Sequence, residues 1–366
     1  MSISVEQAID SLQKEKGKKH EERYVAFLPI FNIFTIESQN KACYAIRERM
    51  TVFFGNLLYE QRIEVEKATF KPGAESQRGF QKEDKVNMYG AIIGDIAGST
   101  LEFRGKKSRD FPFFITDSDI TDDTIMTIAV AKALMQWREE GGDLHELMRR
   151  NMRALGRKYP YPLGAYGNNF AMWLERDNSN PCNSCGNGSA MRVSPCGLIA
   201  STLDEALELA KISAEVSHNH PEGIKGAQAT AAAVYLAKTR HSKEEIRDYI
   251  SGNFYPLDRT LAEIRPGYRF DGTCQGSVPE SIIAFLESES FEDAIRNVIS
   301  LGGDADTMGA ITGSIAWSFY RFRTNEGLSE DMLALQEKAN EYLPDDFLLT
   351  VNQFDRMCWD TYPNMD

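Results

Sequence analysis

The chain has 366 residues, a composition ordinary for a globular protein and a formal net charge of -13 at pH 7. This length can bury the core of one large domain or of two smaller ones. The acidity argues against a general binder of nucleic acid or of anionic membranes. No segment approaches the ~20 apolar residues that span a bilayer, and the start lacks a signal-peptide pattern, so we expect a cytoplasmic protein.

Residues 1–85 differ in charge from the rest, because they are nearly neutral whereas residues 86–366 are acidic. Residues 66–85 are polar and contain Gly and Pro, so we predict a linker there and a domain boundary at residue 85. Two interpretations of residues 1–65 stay open. They form either a small subdomain that covers apolar surface or an arm that binds a partner protein.

From Met88 onward the apolar residues recur with a helical period, and few strand-like alternations separate them. Small residues between Met88 and Ser99 would let two helices approach closely, with Asp95 and Glu102 inside or beside their contact. The pattern predicts an all-α fold. The predicted helices cover residues 125–135, 129–137, 203–216, 224–237, 242–250, 278–286, 291–299, 308–319 and 329–342.

Two acidic clusters each precede a predicted helix, and they read Thr121-Asp122-Asp123-Thr124 and Asp304-Ala305-Asp306-Thr307. One acid would suffice to cap each helix and meet its dipole. If the clusters converge, carboxylates ~4 Å apart repel by roughly 4 kcal/mol at an effective dielectric near 20. Carboxylate and hydroxyl oxygens suit Mg²⁺ or Mn²⁺ better than Zn²⁺. The clusters therefore form either a shared two-metal site or two unrelated helix caps.

Two long irregular stretches, 159–195 and 252–275, are rich in Gly, Asn, Pro and aromatic residues, as functional loops often are. The first contains a glycine-rich run from Gly186 to Arg192, whose backbone N–H groups could face a phosphate; a plain turn is the alternative. His218 and His220 are predicted to line a pocket rather than to bind a transition metal. The single Cys182–Cys185 pair favours free thiols.

These motifs occur in an order that resembles the ADP-ribosylglycohydrolase family, from about residue 88 to residue 320. The resemblance implies an orthogonal multi-helix bundle with two Mg²⁺ or Mn²⁺ ions and hydrolysis of ADP-ribosylated protein, with an arginine linkage favoured. The motifs that carry it are Gly94-Asp95-Ile-Ala-Gly98-Ser99, Thr121-Asp122-Asp123-Thr124, Gly186-Asn187-Gly188-Ser189-Ala190-Met191-Arg192, Ser217-His218 and Gly302-Gly303-Asp304-Ala305-Asp306-Thr307.

The resemblance also implies roles for single residues. Asp95 would support the metal ligands, and the catalytic carboxylates would be Asp123, Glu102 and Asp304, with Asp123 or Glu102 accepting the proton of the attacking water. The ADP-ribose pocket would be lined by Gly188, Ser189, Met191 and His218. The metal ligands would be Thr121, Asp122, Asp123, Asp304, Asp306 and Thr307.

Residues 1–85 depart from the shorter members of the family. An N-terminal addition of this kind also resembles immunity proteins, in which it blocks an ADP-ribosyltransferase toxin, here through residues 1–65. Two rival functions remain. One is a non-catalytic binding or inhibitory protein. The other is a metal-dependent phosphatase, because Asp304-Ala305-Asp306 resembles a nucleophile motif, although that motif normally ends a strand and here follows the predicted helix 291–299.

Overall fold

A computed structural model describes residues 88–176, 180–321 and 328–359. The predictions for residues 1–85 lie outside these ranges. The described residues form helices without strands, which confirms the predicted all-α fold class. The helices are α1 Tyr89–Gly98, α2 Asp122–Glu140, α3 Leu144–Lys158, α4 Asn168–Glu175, α5 Gly188–Met191, α6 Ser194–Ile199, α7 Leu203–Glu215, α8 Pro221–Lys238, α9 Lys243–Asn253, α10 Leu261–Ile264, α11 Cys274–Leu286, α12 Phe291–Ile299, α13 Ala305–Arg321, α14 Glu330–Asn340 and α15 Asp345–Trp359.

The buried helices α1 and α13 cross with their backbones in contact. A Cβ atom added to Gly94 would lie 2.0 Å from the carbonyl oxygen of Gly309, and one added to Gly90 would lie 2.2 Å from that of Gly313. At the other end of the contact, Gly98 faces the carbonyl group of Ala305. The order of these pairs makes the helices antiparallel, so the C-terminal end of α1 lies beside the N-terminus of α13.

The remaining helices surround this pair and bury a continuous apolar core. The alanine-rich helix α8 packs on α7, α11 and α13, while α2 packs on α3 and α15. These contacts fix the N-terminus of α2 close to α1, which is the position that the first acidic cluster needs. None of the described helices has the length and apolar character required to cross a membrane.

The sequence-based assignment of helices was incomplete. It did not include α3, although Asp143 caps this helix and Leu144, Met148 and Met152 form its buried face. Nor did it include α15 or the short helices α4, α5, α6 and α10. These four short helices lie partly or wholly inside the stretches predicted as irregular, 159–195 and 252–275. These short helices are stabilised by packing against the core, because segments of so few residues form no stable helix alone.

Candidate active site

The two acidic clusters converge. Carboxylate oxygens of Asp95, Asp123 and Asp306 lie within 4.8 Å of one another, and so do those of Glu102, Asp304 and Asp306. Asp306 belongs to both groups and joins them. The Thr307 hydroxyl lies 3.2 Å from Asp123 Oδ2, so two residues that are 184 positions apart in the sequence are in direct contact. The clusters are therefore one site rather than two separate helix caps.

Asp95 holds the start of α2 from outside that helix. Its Oδ2 atom accepts hydrogen bonds from the backbone N–H groups of Thr121 at 3.0 Å and Thr124 at 3.1 Å, and also from the Thr124 hydroxyl. The Thr121 hydroxyl donates to Asp95 Oδ1 at 2.7 Å. Asp95 thus satisfies N–H groups that have no partner within the helix. It also connects the α1–α13 contact to the first acidic cluster.

The second cluster is held by donors from the glycine-rich turn and from its own helix. The side-chain amide of Asn187 donates to Asp304 Oδ2 at 2.8 Å, and the backbone N–H of Thr307 donates to Asp306 Oδ1 at 2.9 Å. Gly302 adopts φ +68° in the turn before the cluster, a conformation that an L side chain disfavours. Asn187 was quoted in a motif but was not predicted as a site residue.

The electrostatics of this cluster call for a cation. Burial, and then repulsion from neighbouring carboxylates, raises the pKa of Asp123 and of Asp306 well above its usual value. Burial, followed by repulsion from Asp304, raises the pKa of Glu102 to about 7. One buried oxygen, Asp123 Oδ1, has no hydrogen-bond partner among the described residues. An orphaned carboxylate oxygen within a set of hard oxygen atoms fits a divalent ion such as Mg²⁺ or Mn²⁺.

A cavity of about 640 Å³ opens beside the cluster. Asp122, which is half-buried, and Asp304 both line it, so the two clusters face the same space. Glu102 also lines the cavity and lies close to the loop at Gly164. A Cβ atom added to Gly164 would lie 2.9 Å from Glu102 Oε2. The wall also includes Phe103, Asn168, Asn169, Phe170, Cys182, Asn187, Gly188, Met191, Arg192, His218, Phe270, Asp306 and Thr307.

Three of the four predicted ADP-ribose contacts, namely Gly188, Met191 and His218, line this cavity, and we call the part of its wall around His218 the far end. Ser189 differs from its prediction because its side chain does not line the cavity. Its hydroxyl is buried and donates to the carbonyl oxygen of Gly223 at 2.7 Å, which ties α5 to α8. This packing contact explains why a serine occupies this position of the glycine-rich run.

The two histidines of the predicted pocket loop have different positions. His218 faces the cavity, whereas the His220 ring caps helix α8 by accepting a hydrogen bond from the backbone N–H of Glu222 at 3.1 Å. The two therefore do not form a metal-binding pair. The five cysteines in the described ranges are free, as predicted.

Sequence reasoning missed the aromatic residues of the cavity. The rings of Phe103 and Phe270 stack at its mouth with centroids 5.7 Å apart, and both side chains are largely exposed. The Phe170 ring lies 5.9 Å from the His218 ring at the far end. Phe103 follows Glu102 directly, and this adjacency to a predicted site residue was the signal available in the sequence.

The chain is similar to a solved structure and to curated proteins. A solved structure described as an ADP-ribosylglycohydrolase-related protein complex matches with a TM-score of 0.51 and 20% identity, over 75% of this chain and 95% of the other, which shows the fold. The chain is 25% identical to ADP-ribosylarginine hydrolase Tri1 of Pseudomonas putida over 270 residues, or 64% of this chain and 70% of the relative. It is also 25% identical to chicken (Gallus gallus) ADP-ribosylhydrolase ARH3 over 316 residues, covering 64% and 84%.

The fold and the clustered carboxylates define an all-α protein with a buried acidic centre beside a cavity. The sequence profile of the ADP-ribosylglycohydrolase family matches residues 84–350. This chain therefore belongs to the ADP-ribosylglycohydrolase family. Membership makes it a glycohydrolase of ADP-ribosyl groups.

Proposed function

We propose that the protein removes ADP-ribose from arginine side chains of modified proteins with the help of two divalent ions. One observation carries the proposal: buried carboxylates from α1, α2 and α13 converge at one end of a cavity large enough for the ribosyl end of the substrate. Arginine is favoured because a relative with this linkage in its name aligns over 64% of this chain.

The metal-holding residues would be Thr121, Asp122, Asp123, Asp304, Asp306 and Thr307. Ions bound there would hold the ribose hydroxyls and lower the pKa of a bound water. The chain's own groups do the rest. Asp95 and Asn187 fix the carboxylates through the hydrogen bonds described above. Mg²⁺ and Mn²⁺ both satisfy this ligand chemistry.

The reaction replaces the bond between C1″ of the ribose and the guanidine nitrogen by a bond to a water oxygen. Glu102 or Asp123 accepts one proton of the water, and the departing nitrogen regains a proton from that carboxyl group. Positive charge that develops on the ribose is stabilised by the surrounding carboxylates. His218 and Gly188 would contact the diphosphate.

The test is mass spectrometry of a peptide that carries ADP-ribosyl-arginine, incubated with the protein and Mg²⁺ or Mn²⁺. We expect release of ADP-ribose and an unmodified arginine peptide, with loss of activity after chelation. A serine-linked ADP-ribosyl peptide and a phosphopeptide are the comparison substrates. Faster hydrolysis of the serine linkage would overturn the arginine assignment, and turnover of the phosphopeptide alone would favour a phosphatase.

We propose, separately, that residues 86–366 form the catalytic domain and that residues 1–65 bind an ADP-ribosyltransferase toxin. The support is the change in charge near residue 85 and the start of the family match at residue 84. Deletion of residues 1–85 tests both parts. Hydrolysis should persist while binding of the toxin is lost; loss of hydrolysis through unfolding would contradict the boundary, and unchanged toxin binding would contradict the arm.

A further inference from the structure

Arg192 is a buried cation at the far end of the cavity. Its Nη2 atom donates hydrogen bonds to the backbone carbonyl of Ser213 at 2.8 Å and to the hydroxyl oxygen of Ser217 at 2.8 Å. Its Nε and Nη1 atoms have no hydrogen-bond partner among the described residues. The guanidinium therefore acts as a hydrogen-bond donor that fixes the last turn of α7 and the residues that follow it.

The Ser217 hydroxyl connects this arginine to His218. Its oxygen lies 2.8 Å from His218 Nδ1, and the serine is fully buried. An arginine N–H can only donate, so the serine oxygen must accept from Arg192. The hydroxyl hydrogen is then free to donate to Nδ1. If Nδ1 carried the proton instead, the hydroxyl hydrogen would be a buried donor without an acceptor.

When Nδ1 accepts, the proton of a neutral imidazole is on Nε2. Burial, and then the charge of Arg192, lowers the pKa of His218 well below its usual value, which agrees with a neutral ring. Nε2 points at the glycine-rich turn. A Cβ atom added to Gly188 would lie 3.1 Å from Nε2, and one added to Gly186 would lie 3.6 Å from it. Glycine at both positions leaves this N–H open to the cavity.

We propose that Arg192 and Ser217 are positioning residues that hold His218 as the Nε2–H tautomer, so that the ring donates a hydrogen bond to a phosphate oxygen of the ADP-ribosyl group. The identity of the ligand rests on the proposed function, whereas the tautomer rests on the hydrogen bonds alone. A donor fixed in this way needs no change of protonation when the anionic diphosphate enters.

The tautomer is measured by ¹⁵N NMR of the full chain labelled at histidine, with His218→Gln used to assign the signal. We expect Nδ1 to show the shift of an unprotonated nitrogen and Nε2 that of a protonated one. In Ser217→Ala the ring loses its donor, and signals of the Nδ1–H form should appear. An Nδ1–H ring in the wild-type protein would overturn the proposal.

The affinity for ADP-ribose, measured by calorimetry with Mg²⁺ present, tests the function of the tautomer. We expect Ser217→Ala to weaken binding about fivefold to tenfold, as the loss of one oriented hydrogen bond allows. Ser217→Thr, which keeps the hydroxyl, should restore both the affinity and the NMR signature. Gly188→Ala should weaken binding with the tautomer unchanged, because its methyl group covers Nε2.

Ser213→Ala is the matched control. The Ser213 hydroxyl is buried and has no hydrogen-bond partner within the described part of the chain, while its backbone carbonyl, which Arg192 uses, is retained in the variant. Equal affinities of Ser213→Ala and Ser217→Ala would overturn the positioning role. Wild-type protein that shows the Nε2–H signature but binds no ADP-ribose would refute the phosphate contact and the proposed function, and would leave the tautomer assignment standing.

Discussion

The two ends of the cavity have opposite electrostatic character. At one end, carboxylates from three helices crowd together, and their pKa values rise because burial and mutual repulsion both disfavour the charged forms. At the far end, the buried Arg192 donates to Ser217, and the neutral ring of His218 directs Nε2 towards the glycine-rich turn. Repulsion at the acidic end would be offset by a bound cation, whereas at the far end Arg192 Nη2 and His218 Nδ1 already have hydrogen-bond partners within the chain.

This difference divides the cavity according to the chemistry of its proposed ligand. ADP-ribose carries its diphosphate in the middle and its reactive sugar at one end. Donors such as His218 Nε2–H suit the diphosphate, and cations held by Asp304 and Asp306 suit the sugar hydroxyls. In the proposed function, this arrangement would orient the substrate before any chemistry takes place.

The largest effect is expected at the acidic end. In the double variant Asp304→Asn and Asp306→Asn, hydrolysis of the ADP-ribosyl-arginine peptide should fall by more than about 100-fold, because even outer-shell changes at metal sites cost roughly 10–100-fold. Release of ADP-ribose is the measurement. The metal-free variant should melt no lower than the metal-free wild type, because the amides remove repulsion. Activity near the wild-type level would show that this end is not catalytic.

Addition of Mg²⁺ or Mn²⁺ tests whether the ends differ in their need for a cation. At 100 times the dissociation constant, an ion that binds only the folded state stabilises it by about 2.7 kcal/mol. For a domain of this size, that corresponds to a rise in melting temperature of roughly 3–5 °C. The Asp304→Asn, Asp306→Asn variant should show no such rise, and Ser217→Ala should show it in full. The same rise in both variants would point to a cation site elsewhere.

Gly94→Ala tests the backbone contact that supports the acidic end. The new methyl group would lie 2.0 Å from the Gly309 carbonyl oxygen, so α1 and α13 must separate. We expect the free energy of unfolding to fall by about 1–3 kcal/mol, as measured by urea denaturation. Gly252→Ala is the control, because nothing lies within 4 Å of its added Cβ atom in helix α9. That variant should gain up to ~1 kcal/mol; an equal loss in both variants would refute the contact.

The smallest effect concerns pH in the metal-free protein. Burial raises the pKa of Asp95 to about 6 and that of Glu102 to about 7, so the folded state binds more protons than the unfolded one between about pH 4 and pH 7. Their contribution to stability is complete below that range and is lost as pH rises through it. Melting temperatures in chelator should therefore fall from pH 5 to pH 7.5. A rise over the same interval would contradict the shifts.

The sequence predicted the parts of the acidic end that depend on local pattern. Two acid pairs before helices, and glycines spaced to allow a close crossing, are visible without coordinates. The Asn187–Asp304 hydrogen bond was not predictable, since it depends on how distant segments pack. A supporting role of Asp95 was expected from the family resemblance, but its hydrogen bonds to Thr121 could not be read from local pattern. Ser189 shows how a motif can mislead. Its motif predicted a contact with the ligand, but its hydroxyl donates a hydrogen bond to the Gly223 carbonyl oxygen instead. The missed helix α3 had a readable apolar face and a cap at Asp143.

The contact between Gly94 and Gly309 joins two helices through main-chain atoms alone. Side chains elsewhere in the core can change rotamer or be substituted during evolution. Where main-chain atoms touch directly, no side chain lies between the helices to absorb a shift. The relative register of α1 and α13 is thereby locked, and with it the spacing between Asp95 and Asp306. An enzyme built this way can alter its cavity walls to accept new leaving groups while the distance between its acids is inherited unchanged.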